Sequence, residues 1–181
     1  MLKAQFDMLA NYNAFANRRL YEAAAALSEA DYRADHGAFF KSVEGTLNHL
    51  LVTDRIWMKR FTGVGSAPDR LGAILFDEFA PLRAAREAED DRIRVHVEAL
   101  SGDDLLRKIS YRGVTTPTLV EQPRWEALTH FFNHQTHHRG QVHALLTRIA
   151  GSAPELDLLI YQRLAKARGV SGPAHAADFH L

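Results

Sequence analysis

The 181-residue chain contains no cysteine. That excludes disulfides, thiolate metal ligands and a cysteine nucleophile, so any thiol chemistry must draw its sulfur from a substrate or cosubstrate. Proline is scarce, with six residues. Like the glycines it is concentrated at a few points, which leaves long stretches free to be helical. Charge of one sign is also missing, since 22 Lys and Arg balance 22 Asp and Glu. Without a basic stripe nothing meets a phosphate backbone, so nucleic acid is not an expected partner. No run approaches the ~20 apolar residues of a membrane span. The opening MLKAQFDMLANYNAFANRRL lacks the continuous apolar segment of a secretory signal. These absences lead us to expect a cytoplasmic protein with no membrane partner.

What is present suits one globular domain. Hydrophobic residues make up 46% and charged residues 24%, near the average for soluble domains. We expect a single domain over residues 1–168 and a loose tail over 169–181. Apolar residues at 3–4 spacing predict a first helix over about 3–27, with Leu2, Phe6, Leu9, Ala16, Leu20 and Leu27 on its buried face. Ser28 and Asp31 suggest the start of a short helical turn. Ser42 is a candidate N-cap, with Glu44 in the first turn, for a second helix over 43–61. Residues 62–77 read as a linker rich in turn residues. A third helix spans about 78–100, where REAEDDRIR reads as a solvated face. KISYR and TPTLV, separated by Arg112-Gly113, suggest a small hairpin. A fourth long helix runs over 124–149 and stops before Gly151 and Pro154. A short helix follows at 155–168. Four long amphipathic helices make the fold class all-α, a four-helix bundle.

Histidine is the unusual residue. Five of the ten fall between positions 130 and 143: His130, His134, His137, His138 and His143. Such clustering in a cysteine-free chain suggests a metal. His134 and His138 share an apolar stripe with Leu128, Phe131, Val142, Leu145 and Ile149. They stand one helical turn apart, the spacing by which one helix offers two imidazoles to one ion. A catalytic metal takes three protein ligands and keeps a position open. His49, in the apolar stretch GTLNHLL, is the candidate third. His36, His96, His175 and His180 lack a reason to meet the fourth helix. Asn13 and Asp54 also interrupt apolar stripes. With Gln141 they are candidates for a supporting shell or pocket, since a ligating histidine usually donates its other N–H to such a group. Gln135 replaces the glutamate of the HExxH metalloprotease signature, and the Glu-x-x-His repeats of di-iron bundles are absent.

In YNAFANRRL, GAFFKSVEGTLNHLLVTDRIW and FFNHQTHHRGQVHALL the chain resembles the DinB/YfiT-like family of metal-dependent four-helix-bundle proteins, over nearly its whole length. The resemblance implies up-down-down-up connections, a long crossover between the second and third helices, and a homodimer. It also implies a metal held by the residues matching His49, His134 and His138. Tyr12, Asn13, Asp54 and Trp57 match recurring positions, and Phe15 stands where tryptophan is common. Better understood relatives are thiol-dependent transferases and isomerases. The expected cofactors are one divalent ion, zinc or nickel, and a low-molecular-weight thiol cosubstrate. The expected partner is a small-molecule substrate. Three readings stay open at this point: a thiol-transferase-like metalloenzyme, a metal-dependent hydrolase, and a non-enzymatic bundle stapled by its metal or binding a small ligand.

Overall fold

Serine caps and glycine stops mark some of the helix ends. In the computed structural model, which describes residues 1–115 and 117–167, α1 spans Leu2–Ala24 and α2 spans Glu29–Arg33. The Ser28 side chain accepts the Asp31 N–H to start α2. Helix α3 covers Val43–Thr62, opened by Ser42, whose hydroxyl accepts the Gly45 N–H at 3.0 Å. It closes at Gly63 in the left-handed region (φ 76°), a conformation that costs glycine little. Helix α4 covers Phe79–Ala99. The sequence analysis did not anticipate α5, Gly102–Leu106, although Ser101 and Asp104 form a reciprocal capping box there. Strands β1 (Lys108–Arg112) and β2 (Leu119–Pro123) form the expected hairpin in antiparallel register, Lys108 opposite Pro123 and Arg112 opposite Leu119. The second strand starts three residues later than TPTLV, past Pro117, which has no N–H to give a ladder. Helix α6, Arg124–Ala150, and α7, Leu158–Ala167, complete the described chain. The expected tail at 169–181 lies outside the described residues.

The direction of the long helices follows from which ends share a core. One apolar cluster joins Phe6 of α1, Trp57 and Phe61 of α3, Ile93 and Val97 of α4, and Leu128 of α6. The other joins Leu20 of α1, Leu47 of α3, Leu82 of α4 and Val142 of α6. The start of α1 therefore meets the ends of α3 and α4 and the start of α6, which is an up-down-down-up bundle. Because α3 and α4 are parallel, residues 63–78 must travel the bundle's length between them.

A polar layer divides these two clusters. Along each helix the buried polar residues fall between the apolar groups: Asn13 and Asn17 on α1, Asp54 on α3, Arg86 and Asp90 on α4, Gln135 and Arg139 on α6. This corrects the reading of REAEDDRIR as a solvated face. Arg86, Glu89 and Asp90 are buried, and with Leu82, Ile93 and Val97 they occupy the inward stripe. Among the described residues, no helix is long and apolar enough to cross a membrane.

Candidate metal centre

Helices α3 and α6 bring His49, His134 and His138 together. One ring nitrogen of each lies within 4.8 Å of those of the other two. His49 Nε2 and His138 Nε2 are 3.2 Å apart. The opposite nitrogens of both rings are already engaged. His49 Nδ1 lies 2.8 Å from the Leu71 carbonyl oxygen and His138 Nδ1 lies 2.8 Å from Gln141 Oε1. Those oxygens only accept, so each Nδ1 carries the proton and each neutral ring presents a bare Nε2. Two lone pairs therefore face each other at hydrogen-bond distance with no proton between them. Two imidazole ligands at ~2.05 Å from a tetrahedral ion stand about 3.3 Å apart, so the observed pair has the spacing of neighbours on one ion.

Electrostatics keep these rings neutral. Burial pushes His49 down to about 4 and His134 down to about 3, with the neighbouring histidines adding to the shift at His134. Burial lowers His138 as well, against the pull of Gln141. Neutral imidazole is the ligating form, so no proton has to be displaced at neutral pH.

The surroundings fix the rings in place. Leu71 lies in the crossover, which Asn48 anchors. Asn48 Oδ1 accepts the N–H groups of Leu75 (2.8 Å) and Phe76 (3.1 Å), and its amide donates to the carbonyls of Glu44 and Phe76. One buried amide thus ties the crossover to the turn of α3 that carries His49. On the other side Phe40 stacks on the His49 ring, centroids 3.7 Å apart and planes 18° from parallel. Its carbonyl sits so close to α3 that a Cβ on Gly45 would lie 2.2 Å from the Phe40 oxygen. Position 45 therefore has to be glycine for the loop to lie down as it does. Nothing in the sequence pattern marked Phe40, Asn48 or Leu71 for these roles. The Leu71 contact is made by backbone, which no side-chain motif records.

Of the three candidates for the supporting shell, Gln141 meets one of the three histidine rings directly. Asn13 and Asp54 meet other partners. Asp54 pairs with Arg86 (Nη1–Oδ2 2.6 Å) and accepts from Gln135. Asn13 donates to Asp90 Oδ1 at 3.1 Å and accepts from Arg139. Asn17 also donates to Asp90 (2.9 Å), and Arg86 Nη2 lies 3.0 Å from the same oxygen. Two carboxylates and two guanidiniums are thus set against each other with amides between them, and Arg86 Nε, Arg139 Nε and Gln135 Oε1 are left without a hydrogen-bond partner among the described residues. The physical reason is angular: Asp54 follows His49 by five residues, about 140° around the helix, whereas Gln141 follows His138 by three, about 60° away. His130 borders the centre, its ring 5.9 Å from that of His134. His137 is exposed and lies 3.4 Å from the Gln141 amide nitrogen.

A cleft of about 260 Å³ opens beside the centre, with His49 and His134 at one end and Arg60 and the hairpin residue Thr115 also on its walls. Among the described residues, no Asp or Glu lines it.

Comparison with known proteins places the chain in a family. The chain belongs to the DinB family, whose family model matches residues 1–170. It is similar to Protein DinB of Bacillus subtilis (strain 168), with 24% identity over 161 residues, covering 87% of this chain and 94% of the relative.

Proposed function

We propose that the chain is a divalent-metal-dependent enzyme that joins a small-molecule thiol to an electrophile, with His49, His134 and His138 as ligands and zinc or nickel as the ion. The observation that carries this is the pair of bare Nε2 atoms 3.2 Å apart, each on a ring whose other nitrogen is committed. When bound, a divalent ion held by three neutral imidazoles keeps its full charge and lowers the pKa of a thiol or water beside it. The chain's own residues bind and orient. Leu71 and Gln141 hold the rings, and Phe40 covers one face of His49. The cleft admits a ligand on the side of His49 and His134. Among the described residues the cleft carries no carboxylate, which favours thiol chemistry over hydrolysis; His130 is the one wall residue outside the three ligands that could serve water attack as a base.

The test is turnover of a panel of electrophiles by the metal-loaded chain, with and without added thiols. The reading predicts product only when a thiol is present, and none from His138→Ala. Turnover that ignores thiol would overturn the transferase reading in favour of hydrolysis.

A further inference from the structure

Arg60 is the only charged residue on the walls of the cleft, among those described. It is an unusual arginine. Its guanidinium carbon lies 4.5 Å from the ring centre of Trp57 and 4.4 Å from that of Tyr111, two rings that also meet edge to face at 5.0 Å. One Nη2–H donates to the Arg112 carbonyl at 3.0 Å. An arginine packed into the corner formed by two aromatic rings loses little further freedom on gripping a ligand. Of its five N–H donors, one on Nη2 is spent on the Arg112 carbonyl, and among the described residues no carboxylate is paired with the others. Surface arginines of this chain such as Arg33, Arg83 and Arg94 have carboxylate partners. Arg60 has an aromatic slot and a cleft.

The length of the cleft narrows what it holds. His49, Thr53, Ile56 and Arg60 succeed one another along one stripe of α3, and the first and last Cα atoms are separated by a helix rise of about 16 Å. The Arg60 side chain leans back toward the helix N-terminus, which is the side of His49. Between the guanidinium and the histidines there is room for a chain of several atoms.

We propose that the cleft selects an extended small molecule with a carboxylate at its far end, gripped by Arg60, so that the other end reaches the three histidines. This rests on the metal-centre reading above for what happens at the histidine end, but the carboxylate grip does not. The shared chemistry is a terminal carboxylate. Either the thiol or the electrophile can carry it, and thiol and non-thiol probes tell them apart.

The probes are 6-mercaptohexanoate and its neutral counterpart 6-mercapto-1-hexanol, with hexanoate and 1-hexanol as the pair lacking sulfur. Binding is followed by the visible absorption of the cobalt-loaded chain and by calorimetry on the loaded and metal-free chains. The expected result is a preference of tenfold or more for a carboxylate over the matched alcohol, lost in Arg60→Gln and reduced to a few-fold in Arg60→Lys, with cobalt content unchanged. Preference within the sulfur pair alone assigns the carboxylate to the thiol. Preference in both pairs assigns the grip to carboxylates in general. A metal-free chain that still prefers hexanoate upholds the grip even if the metal reading fails. Equal binding of acid and alcohol, binding of neither, or a preference that survives Arg60→Gln overturns the proposal. Should Arg60→Gln not fold, the same comparison in Tyr111→Ala decides. Removing one wall of the slot should cut the preference at least threefold, and no change would contradict it.

Discussion

Two buried polar regions lie close together on α3 and α6, and they are built on opposite plans. In the ionic layer Asp54, Asp90, Arg86 and Arg139 set charge against charge, and Asn13, Asn17 and Gln135 bond to the carboxylates and guanidiniums, although Arg86 Nε, Arg139 Nε and Gln135 Oε1 keep no hydrogen-bond partner among the described residues. In the histidine centre the outward nitrogens are satisfied, but two inner ones face each other without a proton. Neighbouring residues of one helix can serve the two regions separately, as His134 and Gln135 do, and again His138 and Arg139. A network in which opposite charges already meet specifies how four helices come together. A cluster of neutral rings whose lone pairs converge has the arrangement that a cation would satisfy. Burial alone does not tell the two apart; where each lone pair and proton goes does.

Breaking the ionic layer should give the largest effect. Arg86→Met leaves Asp54 and Asp90 buried without their shared cation, and an uncompensated buried charge costs about 3–5 kcal/mol. Thermal unfolding should then fall by roughly 6–20 °C. A loss under ~2 °C would mean the layer is not what joins the helices.

Acid should strike the other region. The pKa of His49 and His134 is lowered by burial, to about 4 and about 3. Between their ordinary value of 6.5 and these values the unfolded chain binds protons that the folded chain refuses. Their contribution is therefore complete above about pH 6.5 and is lost as pH falls toward 4. By pH 5 each histidine should cost roughly 1–2 kcal/mol. Denaturant melts of metal-free protein at pH 7 and pH 5 measure this. His134→Gln should shrink the difference, and an unchanged difference would place the acid sensitivity elsewhere.

The smallest change sharpens the comparison most. Gln141→Ala removes the acceptor on His138 Nδ1 while leaving the ionic layer intact. Loss of such a partner typically weakens metal binding 10–100-fold. A competition titration with a chelator should show at least a tenfold loss with Tm of the metal-free chain unchanged.

Much of this arrangement can be read from the sequence. The period of apolar residues locates the four long helices, and Ser42 and Gly151 mark real ends because caps act locally. His49, His134 and His138 stand out because imidazoles on apolar stripes need a reason to be there. Arg86 and Asp90 were legible too, at turn spacing between Leu82 and Ile93, but a run dense in charge hides that stripe. Their partners lie on three other helices, so local pattern cannot supply the pairing. Asp54 interrupts an apolar stripe much as His49 sits within one, and only its angular offset separates them. The parts that position the rings depend on the tertiary path of the chain. The Leu71 carbonyl comes from a crossover, and Phe40 from a loop that reaches His49 only because Gly45 has no side chain.

The central claim is that the histidine centre takes a metal ion and the ionic layer beside it does not. It is tested most directly by plasma mass spectrometry of tag-free protein after zinc or nickel reconstitution and desalting. Wild type, His138→Ala and Asp54→Asn would be measured side by side. About one equivalent is expected in wild type and in Asp54→Asn, and none in His138→Ala. A full equivalent retained by His138→Ala, or no metal in folded wild type, would contradict the claim.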